Sequence, residues 1–196
     1  MNPIFYEDGR TSQHFFNPQA KYMVRDTIPA TTPQHGRSFF NPPMHFHMYQ
    51  TEEFQVVSGL ARFFLEGKTY LRNAGEVQFI PKGAYHCFEN ASESAEDLVV
   101  DFRLDQQNWE MEERFFRNFF GYLDDCRKAK QSPSPFQMFR FLYGVNGPLA
   151  VPVPGPAWVG RLVSWVFMIV MGLLIGEWLL GYRGSYEEYY DVRKDK

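Results

Sequence analysis

The chain has 196 residues, enough for one ordinary domain plus an extension and for a substantial core. With 20 Lys+Arg against 23 Asp+Glu, a net charge of −3 and a pI near 6.0, it lacks the basic stripe of a nucleic-acid binder, and that class is set aside. Hydrophobic residues at 44% and aromatics at 18% exclude wholesale disorder, and two cysteines, Cys87 and Cys126, cannot build a disulfide framework.

The opening residues, MNPIFYEDGR, place Glu7 and Asp8 where a secretory signal needs a basic and then an apolar run, so secretion by that route is not expected. Pro3, Pro18, Pro29, Pro33 and Gly36 break the first 40 residues, which predicts an arm over 1–26 with at most short strands. From 42 to 104 short apolar runs alternate with turn residues. Residues 61–65, Glu66-Gly67-Lys68 and residues 69–71 read as strand, tight turn and strand. A further strand is expected over 77–80, before the break at Pro81-Lys82-Gly83, and another over 97–104. This spacing predicts a mainly β antiparallel sandwich or barrel, with its domain placed at 27–105.

The period then lengthens. Met111, Phe115, Phe119 and Leu123, with Phe116 and Phe120 beside them, predict a helix over 107–128 whose Phe stripe serves helix-to-barrel packing or a homodimer contact. Ser134 as N-cap and Pro135 at the first helical position predict a second, short helix through residue 143. A Pro/Gly linker over 144–156 closes this helical extension, placed at 106–156.

Residues 162–176, LVSWVFMIVMGLLIG, carry no charge. Extended to Gly181 the run admits only Glu177 and reaches about 20 residues, or ~30 Å as a helix, which predicts a membrane-spanning segment within 157–182 and membrane contact through 162–180. Gly160, Ser164, Gly172 and Gly176 recur at four-residue steps, a spacing that permits close helix contact, and Trp158, Trp165, Trp178 and Tyr182 suit an interface. A surface-bound helix and one buried in protein are the alternatives. The expected localisation is membrane-associated with the barrel in the cytosol, followed by a polar tail over 183–196. Arg183, Arg193, Lys194 and Lys196 all follow the segment and leave its orientation open.

Three of five histidines fall in one ordered pattern. In a strand, His45-Phe46-His47 would place two imidazoles on the same face. Glu52 follows, while alternation points Glu53 the other way, and inward residues of neighbouring strands would bring His86 to the same place. Imidazoles with a carboxylate suit a first-row transition ion, and open positions beside them suit oxygen or a chelating substrate. Phe54, Phe63, Phe64, Phe79 and Phe88 are the candidates for an apolar wall. Arg62 and Tyr70 could reach a substrate or sit on an exposed face, Gln50 is read as a rim residue, and Cys87 as a packed thiol turned away from the site.

His45-x-His47, Glu52 and Gly59, followed by Gly75, Pro81-x-Gly83, His86 and Asn90, resemble the two motifs of the cupins, with nine positions at matching spacing. One position departs: Phe39 stands where a glycine usually precedes the first histidine by six residues. The resemblance implies a small jelly-roll barrel with a metal carried by His45, His47, Glu52 and His86. The ion expected is a divalent transition metal, Fe(II) foremost, with Mn, Ni or Zn as alternatives. The string Pro-Pro-Met-His-Phe-His more narrowly resembles small cupins of fungal secondary-metabolite clusters. That implies an oxidoreductase, dioxygenase-like, acting on a small aromatic or polyketide-derived molecule, with Glu52 able to double as a base. A non-catalytic membrane-associated cupin that binds a small ligand or partner enzymes, and a redox-neutral isomerase or cyclase, are the competing readings.

Overall fold

The computed structural model describes residues 2–91, 96–105 and 108–191, which fall into two units. The first comprises Met1–His45 and Tyr49–Trp109, the second Phe46–Met48 and Glu110–Lys196.

Among the described residues the first unit has nine strands: β1 (Ile4–Tyr6), β2 (Thr11–Phe15), β3 (Val24–Ile28), β4 (Glu52–Ser58), β5 (Leu60–Leu65), β6 (Lys68–Asn73), β7 (Val77–Ile80), β8 (His86–Asn90) and β9 (Leu98–Leu104). They form a six-stranded sheet in the order β1-β2-β3-β9-β4-β7 and a three-stranded sheet in the order β6-β5-β8, every pairing antiparallel. The expected mainly β class is present, but the strand pairing among the described residues does not close into a barrel. Residues 1–26, read as an arm, supply β1, β2 and the start of β3 to the larger sheet. Their prolines lie between the strands or ahead of them, where no ladder hydrogen bond is lost.

The β5–β6 hairpin follows from local chemistry. Glu66 (φ 47°) and Gly67 (φ 76°) both take the left-handed conformation that a two-residue turn between right-twisted strands demands. At Gly59 (φ 81°) a Cβ would stand 2.6 Å from the Asp97 carbonyl oxygen, so no other residue fits. Strand alternation then sorts the side chains. Phe54, Val56, Val100 and Phe102 turn inward, while Arg25 and Asp101 pair through a bidentate ion pair (2.6 and 2.8 Å). Phe54 joins the two sheets, with its ring 5.2 Å from Phe63, 4.9 Å from Phe88 and 5.5 Å from Phe102. Each such burial contributes about 1.5–3 kcal/mol.

The second unit contains α1 (Trp109–Lys128), α2 (Pro135–Gly144) and α3 (Ala157–Met168), which continues as a π-helix over Ile169–Leu179. Helix α1 was expected from residue 107, and Gln106 and Gln107 lie outside the described residues, as do 192–196 of the polar tail. Ser134 takes the N-cap position of α2 in extended conformation without a side-chain cap bond, and its amide donates to the Tyr122 hydroxyl at 2.9 Å. The Phe stripe of α1 meets α2: Phe119 and Tyr122 stand edge-on to Phe141 at 6.4 and 5.9 Å. The C-terminal segment is tied to both helices. Asn118 Nδ2 donates to Ser185 Oγ (3.0 Å), Asn118 Oδ1 accepts from the Tyr186 amide (2.7 Å), and the Tyr186 hydroxyl donates to Gln137 Oε1 (2.6 Å).

Among the described residues one helix, Ala157–Leu179, is long and apolar enough to cross a membrane. The glycine spacing inside it has an intrachain use. A Cβ at Gly172 would lie 2.5 Å from the Phe139 carbonyl oxygen and one at Gly176 would lie 2.9 Å from that of Phe136, so both glycines let α2 approach backbone to backbone.

Candidate metal centre

His45 does not lie in a regular strand, as its sequence had suggested. It joins the first residue of β8 through an isolated bridge: its amide donates to the His86 carbonyl (3.0 Å) and its carbonyl accepts from the His86 amide (2.9 Å). The reason is that the two following amides leave the sheet pattern, Phe46 donating to Pro148 O (3.2 Å) and Met48 to Asn146 O (3.3 Å). Phe46 is buried between two half-buried histidines, so side chains still alternate across the segment. The single backbone bridge sets the His45 and His86 rings 4.2 Å apart, centre to centre.

Glu52 opens β4 and turns inward, 5% exposed; Glu53 turns outward to Tyr22 and Arg103 at 2.9 and 3.0 Å. Hydrogen bonds to Arg103, Lys21 and Tyr22 outweigh a partial burial penalty and hold the Glu53 carboxyl below its ordinary value. Glu52 Oε2 stands 3.1 Å from His86 Nε2. One ligand atom each from His45, His47, Glu52 and His86 lie within 4.8 Å of one another.

The orientation of two rings tests whether this group suits a cation. His45 Nδ1 faces the Pro43 carbonyl and His86 Nδ1 faces the Ala84 carbonyl, each at 2.9 Å. A carbonyl only accepts, so both Nδ1 atoms carry the hydrogen, which turns the Nε2 lone pairs of the neutral rings toward the cluster. Backbone carbonyls that orient imidazoles in this way are the usual outer shell of a metal-binding histidine. His86 Nε2 and Glu52 Oε2 then face each other at 3.1 Å, an arrangement that a shared proton or a cation between them satisfies. Ligand bonds of about 2.1 Å on either side of one ion set a donor spacing of up to ~4.2 Å, and the 4.8 Å within which the four atoms lie is slightly wider. The His/Glu cluster is therefore fit to hold a metal.

Of the Phe residues considered for an apolar wall, Phe54, Phe63 and Phe88 are buried, Phe64 is half-buried on the alternate side of β5, and Phe79 is 53% exposed. Arg62 pairs with Glu89 at 2.8 Å, the Arg72 guanidinium lies over the Tyr70 ring, and Gln50 is half-buried. Cys87 is half-buried, its thiol pushed up by burial. One inward carboxyl escaped the motif reading. Asp26 is fully buried on β3, accepts from Gln13 Nε2 at 3.0 Å, and is pushed up to about 8 by burial, with the Asp101 and Glu52 carboxylates adding to the rise. Its signal was present: Val24, Asp26 and Ile28 share one parity of the strand, and two of the three are apolar.

A family profile described as "Cupin domain" matches residues 39–101, the stretch that holds all four donors. The chain is 31% identical over 194 residues to the "Probable oxidoreductase virH" of Hypocrea virens, covering 97% of this chain and 86% of that protein. It is 31% identical over 166 residues to "Oxidoreductase iacF" of Pestalotiopsis fici, covering 82% of this chain and 80% of that one. To "Epoxidase atD" of Aspergillus terreus it is 27% identical, over 88% of this chain and 57% of the relative. With the profile match over both motifs and 31% identity along nearly its whole length to such a relative, the chain belongs to the cupins, in a group of fungal proteins named as oxidoreductases.

Proposed function

We propose that the chain is a metal-dependent oxidoreductase, dioxygenase-like, that acts on a small aromatic or polyketide-derived molecule in secondary-metabolite biosynthesis. The observation that carries this reading is the convergence of three imidazoles and one buried carboxylate, with two rings tautomerically set by backbone carbonyls. His45, His47, Glu52 and His86 would hold the ion, Fe(II) foremost. When bound, such an ion activates oxygen or polarises a chelating substrate. The protein's own part is electrostatic and steric. Glu52, buried on β4, would offset the cation's charge and is the carboxylate placed to act as a base toward a substrate. Pro43 and Ala84 hold two rings in orientation, and the Phe54–Phe63–Phe88 cluster keeps the inner side of the sheets dry.

The oxidoreductase and epoxidase names of the relatives favour redox chemistry over the isomerase or cyclase reading. The deciding measurement is metal analysis of the purified chain and of a His45→Ala/His86→Ala variant, joined to metabolite profiling under air and under nitrogen. One transition ion per wild-type chain, lost in the variant, with a product that forms only in air, supports the reading. A wild-type chain with no stoichiometric metal overturns it. A product indifferent to oxygen transfers the site to redox-neutral chemistry, and no product at all to a binding role.

A further inference from the structure

The long apolar helix has two faces of opposite character. Gly160, Ser164, Met168, Gly172 and Gly176 are buried. Trp158, Leu162, Val166, Val170, Leu174 and Trp178 are exposed, the two tryptophans most, at 64% and 70%. Both sets step by four residues. In an α-helix such a row drifts one way around the axis; in the wider π-helix, whose bonds run i to i+5, it drifts back. The change of helix type at Ile169 thus keeps the exposed stripe on one side over the full length.

What packs on the buried face decides how this helix can meet lipid. Along its first half lies irregular backbone, where the Val151 amide donates to Ser164 Oγ at 2.9 Å amid Pro152, Pro154 and Pro156. Along its second half lies α2, which brings Arg140 to Glu177 at 2.5 Å. A helix that crossed a bilayer would carry irregular backbone to hydrocarbon depth, which lipid-exposed chains do not tolerate, and would hold this ion pair at the edge of the apolar core. A helix lying flat would leave both on the protein side. The exposed stripe carries no charge and ends in indoles, groups that favour the headgroup boundary. A second copy is the poorer occupant. The residues that allow close helix pairing are already used against α2, and a uniform four-residue step is not the 3.5-residue seam of a coiled coil.

We infer that the Trp158–Trp178 face docks the chain on a phospholipid bilayer surface as an in-plane helix, with the stripe sunk into one leaflet. This inference is independent of the metal centre. The test uses the full chain with Cys87→Ser and Cys126→Ser, carrying a nitroxide at Trp158→Cys, Val170→Cys or Trp178→Cys in turn, mixed with phosphatidylcholine vesicles. Immersion depth is read from collisions with oxygen and with a water-soluble nickel chelate. Equal, shallow depths at the three positions are expected, together with at least a tenfold drop in vesicle co-flotation for unlabelled Val166→Glu/Val170→Glu, whose helix content is checked by circular dichroism. Val170 deeper than both ends by about 15 Å, the mark of a spanning helix, would overturn the inference. So would a wild-type chain that fails to float, or one that dimerises through the stripe and ignores vesicles.

Discussion

The sheets of the first unit and the long helix of the second place their apolar side chains in opposite ways. In the sheets, strand alternation turns Phe54, Val56, Val100 and Phe102 inward and leaves charged partners such as Arg25 and Asp101 to pair on a less sheltered side. In the long helix the buried row is glycine, serine and methionine, while tryptophan, leucine and valine face out. The first arrangement gains from removing apolar surface from water. The second gains from close backbone approach and leaves a large apolar stripe uncovered, a feature that marks an interaction site rather than a water-facing surface. The sheets thus shelter polar groups such as Glu52 and His86 from solvent, while the long helix presents apolar side chains to it.

The sharpest way to break this contrast is at the sheltered donors. His86→Ala removes a ligand and the ring that Ala84 orients, and metal content should fall from about one ion per chain to near zero with at least a ~100-fold loss of oxygen-dependent turnover. Elemental analysis and oxygen uptake report it, and full retention of metal would detach His86 from the centre. Next in size is the aromatic core: Phe54→Ala should cost about 3–5 kcal/mol, read from denaturant unfolding, since it empties the space between the two sheets.

Asp26 sharpens the comparison through pH. Its folded value of about 8 lies above the ordinary carboxyl value, so the folded state holds a proton that the unfolded state releases. Its contribution is therefore complete below about pH 4 and declines as pH rises toward 8, at up to about 1.4 kcal/mol per pH unit. Asp26→Asn should flatten that decline between pH 5 and pH 8, visible as urea midpoints that converge less steeply than those of the parent chain. The smallest effect belongs to the other unit. Gly172→Ala places a methyl against the Phe139 carbonyl and should cost about 1–3 kcal/mol. Hydrogen exchange should quicken in α2 and the long helix while the β-strand amides keep their protection; uniform loss of protection would mean the units do not unfold separately.

How much of this was readable beforehand depended on the range of the interaction. The β5–β6 hairpin was legible because Glu66-Gly67 states its own turn, and Ser134-Pro135 announced the start of α2. The spacing marked His45, His47, Glu52 and His86 as one set, and the structure brings their ligand atoms within 4.8 Å of one another. Their posture was not legible, because His45 is positioned by a bridge to His86 and by amides turned toward Pro148 and Asn146. The extent of β1 to β3 was not legible among the prolines, since β3 is a strand through pairing with β9 about 75 residues later and β2 and β1 add onto it in turn.

Residue order and composition alone gave the β class of the first unit, a candidate ligand set of three histidines and Glu52, and the presence of one very apolar helix, because periodicity, turn chemistry and residue type are properties of neighbouring residues. Contacts across the chain decided the rest: that the sheets stay open, that Asp26 is buried beside Gln13, and that Gly172 and Gly176 meet α2 rather than another helix. Each of those depends on which distant backbone arrives at a given side chain, and that is set by packing.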